Sequence, residues 1–274
     1  MRPERDDIAA PEIPTEIGWV GEAPPSMAAL LLDGPALVHF FDFAQLNSVR
    51  TLPYLVEWER RYRGSGLRVI GVQAPRFGFG SNADTVAKGL ERLGVEFPVA
   101  IDTGRDLWHL YGCQGWPSLF LWGGGGALRW AHFGEGEYRA TEEAIQDELR
   151  EADALRDLPA PLDPLRPSDA PGAKVMPPTE EAFPGGDDWR RPWTAGPDGD
   201  TLAYAYSAGG AHVTVEGAGT LACRLDDSAP QQLPIDGPAL YTLAEHSRHE
   251  HHKLTLQPDE GLRIWSVSFS PGVP

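Results

Sequence analysis

The sequence predicts an α/β domain followed by an all-β, jelly-roll-like sandwich domain. Three observations lead to this fold class. Apolar runs alternate with amphipathic stretches up to residue 157, prolines cluster in the next thirty residues, and a period of two dominates from residue 187 onward. The predicted organisation is an N-terminal tail at 1–11, an α/β domain at 12–157, a linker at 158–186 and a β-domain at 187–274.

The α/β prediction begins with the run LVHFFDF at 37–43. This run is almost continuously apolar, as expected of a strand that is buried on both faces of a parallel sheet. A helix is predicted next, with Pro53 inside it, and then the strand RVIGVQ, so that the three elements form a right-handed βαβ unit. The predicted helices cover 48–63, 82–93, 106–111 and 138–155, and the further strands cover 68–73, 98–101, 117–122 and 127–133.

The segment 158–186 contains eight prolines, which predicts an extended and semi-rigid linker. Beyond it, short stretches of alternating polarity are separated by turn residues, a spacing typical of a sandwich or jelly roll. The predicted strands of this second domain cover 201–208, 212–217, 220–226, 239–244, 252–257 and 262–269.

Charge and hydropathy exclude several classes of partner. The formal net charge is -17, and a chain so acidic without a basic cluster is a poor ligand for nucleic acid or for an anionic membrane. No apolar run approaches the roughly 18 residues of a membrane span, and the first residues lack the apolar core of a secretory signal. A cytoplasmic protein without a cofactor is expected, with Cys113 and Cys223 unpaired.

The stretch FFDFAQLNSVRTLPYLVEWERRY at 40–62 resembles the TlpA/DipZ-like branch of the thioredoxin superfamily. In that branch an aromatic-rich strand leads into a Cys-x-x-Cys motif and then into the helical sequence Arg-Thr-Leu-Pro-Tyr-Leu, which is present here as Arg50–Leu55. Counting back from this helix, the two cysteine positions fall on Gln45 and Ser48. The resemblance extends over about 12–154 and implies that Pro117 is the cis-proline of a thioredoxin-like fold.

The resemblance continues more weakly beyond the linker. Segments between 178 and 272 are similar to the C-terminal β-domain of some DipZ-like proteins, which resembles a carbohydrate-binding jelly roll. This similarity implies an alternative function, carbohydrate binding through the β-domain. Trp189 and Trp193 could stack on a sugar, or they could serve as packing anchors.

The two replaced positions predict a protein that does not perform ordinary dithiol–disulfide exchange. That chemistry needs a thiolate at a helix N-terminus and a second thiol that resolves the mixed disulfide. A glutamine has no nucleophile, and no His/Asp pair is evident near Ser48 to activate its hydroxyl. We therefore predict a binding, scaffold or sensing protein. An extended peptide or small ligand would lie in the groove beside the cis-proline, although this surface could also be unused; its residues would be Phe43, Gln45, Asn47, Ser48, Trp116 and Pro117.

Two further candidates stay open on the sequence alone. Cys113 lies four residues before Pro117 and could act as the single reactive thiol of an atypical oxidoreductase, or it could be a small core residue. The segment HSRHEHH contains four histidines, of which His249 and His251 would share one face of a strand at a spacing suited to metal ligation. A solvated loop is the alternative for this segment, and no metal is predicted.

Overall fold

The computed structural model describes residues 1–3, 8–186, 188–197 and 199–274. The chain divides into two compact units. The first comprises Met1–Pro75 with Gly80–Pro164, and the second comprises Arg76–Phe79 with Leu165–Pro274. This division differs from the predicted one, because residues of the predicted tail and linker belong to the units themselves.

The first unit contains a six-stranded mixed sheet. Its strand order is β1-β4-β3-β2-β5-β6, with β2, β3 and β4 parallel and the other neighbours antiparallel. All six residues of β2 are buried, as the apolar run predicts for a central strand. The strands are β1 at Gly18–Val20, β2 at Ala36–Phe41, β3 at Arg68–Gln73, β4 at Val99–Ile101, β5 at Ser118–Trp122 and β6 at Leu128–Phe133.

Five helices connect or flank these strands, and the predicted α/β class is confirmed. They are α1 at Met27–Leu31, α2 at Leu46–Tyr62, α3 at Ala83–Arg92, α4 at Asp106–Leu110 and α5 at Tyr138–Ala152. The elements β1 and α1 were not predicted. The helix α2 continues through Pro53 and buries its apolar side, including Leu52, Leu55 and Trp58. None of the described helices combines the length and the apolar character needed to cross a bilayer.

Residues of the predicted tail and of the predicted linker are hydrogen-bonded to the first unit. The Met1 ammonium group donates to the Ala131 carbonyl at 2.6 Å, and Ala9 pairs with Ala127. At the other end, the Leu162 amide donates to Glu142 Oε2 at 2.8 Å. The first residues of the predicted linker therefore lie along α5.

The second unit contains a six-stranded antiparallel sheet, which confirms the predicted all-β character. Its strands follow the order β10-β9-β11-β8-β12-β7 and are hydrogen-bonded in one sheet. The longest strand, β11, shifts register between Thr242 and Ala244 and again between Glu245 and Glu250. The strands are β7 at Trp193–Thr194, β8 at Leu202–Glu216, β9 at Gly219–Leu225, β10 at Gln231–Ile235, β11 at Ala239–Pro258 and β12 at Arg263–Ser270.

The strands predicted at 201–208 and 212–217 are two parts of the single strand β8, and those at 239–244 and 252–257 are two parts of β11. Gly209 and Gly210 suit a turn by composition, yet they lie inside β8. A Cβ at Gly209 would lie 2.5 Å from the Pro271 carbonyl oxygen, and one at Gly210 would lie 2.8 Å from the Ala244 carbonyl oxygen. Glycine is needed here because backbones approach closely within the sheet.

Candidate functional site

Gln45 and Ser48, the two positions that the resemblance matches to the family's cysteines, lie at the N-terminus of α2. Gln45 is the N-cap residue of this helix, with extended backbone dihedral angles. Its Oε1 atom accepts the Ser48 amide at 2.8 Å and the Ser48 hydroxyl at 3.0 Å. One side-chain oxygen thus satisfies both a backbone donor of the first helical turn and the neighbouring hydroxyl.

Ser48 is fully buried at this position. Its Oγ atom accepts the Asp42 amide at 3.3 Å while its hydroxyl donates to Gln45. The hydroxyl is therefore engaged both as a donor and as an acceptor, and it is held in the helix rather than directed at solvent.

Buried polar groups hold the turn between β2 and α2. Asp42 Oδ1 accepts the Ala44 amide at 2.8 Å, and Gln73 Oε1 accepts the Phe43 amide at 3.0 Å. The carboxyl and amide side chains of Asp42 and Gln73 are fully buried with the turn they support. The backbone before α2 consequently has its donors satisfied from within the unit.

Trp116 and Pro117 lie at the start of β5, and the peptide bond between them is cis. Trp116 is half-buried and its Nε1 donates to the Ala74 carbonyl at 2.8 Å. Its ring lies 4.6 Å from the Trp108 ring, and the Arg105 guanidinium lies 5.0 Å from the Trp116 ring centroid. This distance is within the range of a cation–π interaction.

Sequence reasoning did not identify Arg105 and Trp108 as neighbours of this surface. Arg105 adopts a left-handed backbone conformation with φ 61°, and its Nη2 donates to the Pro75 carbonyl at 2.8 Å. Asp102 accepts the Trp108 amide at 2.8 Å and so fixes the start of α4. Both residues reach Trp116 only through the fold, and no local sequence pattern indicates this contact.

The structure corrects part of the predicted binding surface. Phe43 and Ser48 are 1% and 0% exposed, and Pro117 is buried as well, so these side chains are enclosed by their own unit. Gln45 is 9% exposed and is occupied as a cap. Asn47 and Trp116 are the predicted residues of this surface that keep an appreciable accessible area.

Cys113 is a core residue rather than an accessible thiol. Its side chain is 6% exposed, and burial raises the pKa of the thiol to about 12. The pKa of Cys223 is raised by burial too, and both cysteines are unpaired. A thiol that is buried and protonated is a poor nucleophile, so the structure does not fit the interpretation of Cys113 as a single reactive thiol.

The structure also corrects the predicted pairing of histidines. The His251 Nδ1 contacts the Ser207 hydroxyl, the His249 amide donates to the Val273 carbonyl, and the two imidazole rings lie 6.3 Å apart at 89°. Three other donors converge instead, those of His246, Glu250 and His252. The backbone reason is that β11 shifts register between Glu245 and Glu250, so that residues 246–249 bulge out of the ladder and His246 comes close to His252.

The two tryptophans considered as a sugar platform have separate surroundings. Trp193 belongs to β7, where it pairs with Ile264 and packs against the core of the second unit. The Arg190 guanidinium lies 4.9 Å from the Trp189 ring centroid. The position of Trp193 fits the packing-anchor interpretation.

Comparisons with known proteins agree with this organisation. No protein-family model matches the chain. The chain is 29% identical to Protein DipZ of Mycobacterium tuberculosis over an alignment 297 positions long, which covers 95% of this chain and 42% of the relative. NHL repeat-containing protein 2 of Gallus gallus is 30% identical over 132 residues, covering 47% of this chain and 18% of that protein.

Among solved structures, a thiol-disulfide isomerase from Corynebacterium glutamicum is 21% identical and covers 51% of this chain and 96% of its own, with a TM-score of 0.46. The chain spans 42% of the length of its DipZ relatives. The similarity to DipZ runs through both units of the structure. Over 95% of its length, this chain is therefore similar to Protein DipZ.

Proposed function

We propose that the first unit is a thioredoxin-like binding module that has lost dithiol chemistry. The observation that carries this proposal is the cap of α2, in which Gln45 Oε1 accepts both the amide and the hydroxyl of Ser48. In a dithiol enzyme the unpaired amides and the dipole of this helix end lower the pKa of a thiol. Here an uncharged amide oxygen occupies that position.

Neither step of disulfide exchange has a reactant in this arrangement. The first step needs a thiolate that attacks a disulfide sulfur, and the second needs another thiol that releases the mixed disulfide. Gln45 offers an amide, and the Ser48 hydroxyl is buried and hydrogen-bonded on both sides. Cys113 cannot replace them readily because burial keeps its thiol protonated.

The surface beside the cis peptide supports a binding role. In the family that this chain resembles, the backbone before the cis-proline pairs with an extended peptide by strand addition. Trp116 lies at that place, half-exposed, and its ring contacts both the Trp108 ring and the Arg105 guanidinium. An aromatic ring that is already oriented contributes contact area at little entropic cost. Asn47 adds an accessible polar side chain from α2.

The loss of chemistry can be tested by insulin-disulfide reduction in the presence of a thiol reductant. The wild type should show no turnover above the reductant alone, whereas Gln45→Cys/Ser48→Cys should gain turnover. The single variant Gln45→Cys serves as a control that lacks the resolving thiol. Turnover by the wild type that disappears in Cys113→Ala would overturn the proposal.

Binding can be tested on an array of cysteine-free peptides that adopt extended conformations. Peptides that bind the wild type should lose at least about tenfold in affinity in Trp116→Ala. Trp130→Ala is the matched control, because Trp130 is also a partly exposed tryptophan. It lies on β6, where it pairs with Leu121 of β5, away from the cis peptide. Equal affinity in Trp116→Ala and the wild type would reject binding at this surface.

A further inference from the structure

We propose that His246, Glu250 and His252, all in the second unit, form a binding site for one divalent transition-metal ion such as Zn²⁺. Each residue offers one donor atom, and these three atoms lie within 4.8 Å of one another. Two imidazoles and one carboxylate are donors that Zn²⁺ and its first-row neighbours prefer.

The distances between the three donor atoms are close to those in a zinc site. Glu250 Oε2 lies 3.1 Å from His252 Nε2 and 4.0 Å from His246 Nδ1. In a tetrahedral zinc site with bonds of about 2.0–2.1 Å, donor atoms are separated by about 3.3 Å. Two of the three donor separations lie on either side of that value and all three are below 4.8 Å, so the donors are close to the spacing that an ion requires.

The outer nitrogen of each imidazole already has a partner. The Tyr206 hydroxyl lies 2.8 Å from His246 Nε2, and Asp226 Oδ2 lies 2.7 Å from His252 Nδ1. Hydrogen bonds of this kind fix the tautomer and the orientation of metal-ligating histidines. They leave His246 Nδ1 and His252 Nε2 as the nitrogens that point toward the Glu250 carboxylate.

These supporting groups are themselves held in place. Tyr206 is 3% exposed, and its ring stacks on Phe269 with centroids 4.8 Å apart. Asp226 Oδ1 accepts the Lys253 amide at 2.8 Å. The orientation of both imidazoles therefore depends on packed or hydrogen-bonded groups outside the three ligands.

The backbone explains why these three residues converge. Glu245 pairs with Gly210 and Glu250 pairs with Ala208, so the residues 246–249 of β11 face a single residue of β8. This bulge of four residues brings His246 close to His252, and their ring centroids lie 4.3 Å apart. Glu250 and His252 share a face because they are two residues apart in the strand that follows.

Three protein donors leave at least one coordination position for an exchangeable ligand, which is the pattern of a catalytic or ligand-binding site rather than of a closed structural one. An open surface depression of about 340 Å³ borders Tyr206, Asp226 and His252, so the groups that support the two imidazoles lie beside solvent.

The experiment is isothermal titration of the chelator-treated full chain with Zn²⁺. The wild type should bind one equivalent, and His246→Ala/His252→Ala should lose at least about a hundredfold in affinity. The matched control is His249→Ala/His251→Ala, which removes the same number of imidazoles from the same strand and should stay within about threefold of the wild type. Circular dichroism of each variant checks that the fold is kept.

If His246→Ala/His252→Ala unfolds, single substitutions test the metal site instead. Asp226→Asn and Tyr206→Phe should each weaken Zn²⁺ binding by about 10–100-fold, because they support ligands without being ligands. Absence of stoichiometric Zn²⁺ binding to the folded wild type would overturn the proposal. A loss of affinity in His249→Ala/His251→Ala equal to that in His246→Ala/His252→Ala would also overturn it, as would unchanged affinity in folded Glu250→Gln, Asp226→Asn and Tyr206→Phe.

Discussion

Gly89 lies so close to the ring of Phe43 that a Cβ atom at position 89 would be 2.4 Å from Phe43 Cδ2 and 2.7 Å from Cε2. Phe43 belongs to the turn that precedes α2, and Gly89 belongs to α3. Because Gly89 has no side chain, α3 leaves room for the Phe43 ring in the turn before α2.

Gly89→Ala should destabilise the protein by about 1–3 kcal/mol, because the added methyl group forces the buried Phe43 ring out of place. Urea denaturation measures the change in the free energy of unfolding. Gly64→Ala is the control, since a Cβ at Gly64 meets no atom within 4 Å. A double-mutant cycle with Phe43→Leu should show strong non-additivity, and additive effects would contradict the contact.

Gln45→Ala should lower the free energy of unfolding by about 1–2 kcal/mol, because α2 loses its cap and the buried Ser48 hydroxyl loses its acceptor. Asn82→Ala offers a matched comparison, because Asn82 caps α3 in an exposed position by accepting the Thr85 amide at 2.9 Å. We expect the loss at Gln45 to be larger. If Gln45→Ala lowers the free energy of unfolding by less than Asn82→Ala does, Gln45 Oε1 does not accept both the amide and the hydroxyl of Ser48.

His39→Leu should flatten the pH dependence of stability. Burial lowers the pKa of His39 from 6.5 to about 3, and neither ring nitrogen has a hydrogen-bond partner among the described residues. Between these two values the unfolded chain binds a proton that the native state does not. The contribution of His39 is therefore complete above pH 6.5 and is lost as the pH falls toward 3, by about 1 kcal/mol per pH unit.

The measurement for His39 is the midpoint of urea unfolding between pH 7 and pH 4. The wild type should lose more stability than His39→Leu over this range, while the exposed His109 provides the control variant His109→Leu. Parallel profiles for the wild type and His39→Leu would show that position 39 does not govern this dependence.

Both thiols should resist iodoacetamide in the native state and react once the chain is unfolded in guanidinium chloride. Cys113 and Cys223 are buried, and burial raises the pKa of each thiol. Mass spectrometry after short labelling at pH 8 gives the extent of modification at each site. Rapid native-state labelling of Cys113 would instead support the single-thiol oxidoreductase.

The α/β half of the fold was largely predictable because its signals are long and periodic. The buried run that became β2 and the amphipathic α2 were predicted within about two residues of their ends. The elements β1 and α1 contain three and five residues, too few for a period to be recognised, and both were missed.

The second half shows where composition alone misleads. Glycines 209 and 210 indicate a turn by their type, but they lie inside β8, where the backbone at Pro271 and at Ala244 of β11 leaves no room for a Cβ atom.

The histidine cluster in β11 was also misread from the sequence pattern. A strict period of two pairs His249 with His251, whereas the bulge in β11 brings His246 to His252. A register shift depends on the partner strand and cannot be derived from local sequence.

At the candidate site, the sequence identified Gln45 and Ser48 but not the bond between them. Gln45 Oε1 accepts the Ser48 amide because Gln45 is the N-cap residue of α2. Asn, Asp, Ser and Thr are the preferred N-cap residues, so the sequence did not indicate this role for a glutamine. The contacts of Trp116 with Arg105 and Trp108 depend on the packing of α4 beside the start of β5.

Finally, the attachment of residues 158–164 to α5 indicates where a fragment that contains the first unit should end. Glu142 is 1% exposed, and its Oε2 atom accepts the Leu162 amide, while the Gln146 amide donates to the Pro159 carbonyl. A fragment ending with α5 would lack both of these hydrogen bonds. A fragment that contains the first unit should therefore end after residue 164. The segment 158–164 has no helix or strand, yet it belongs to this unit.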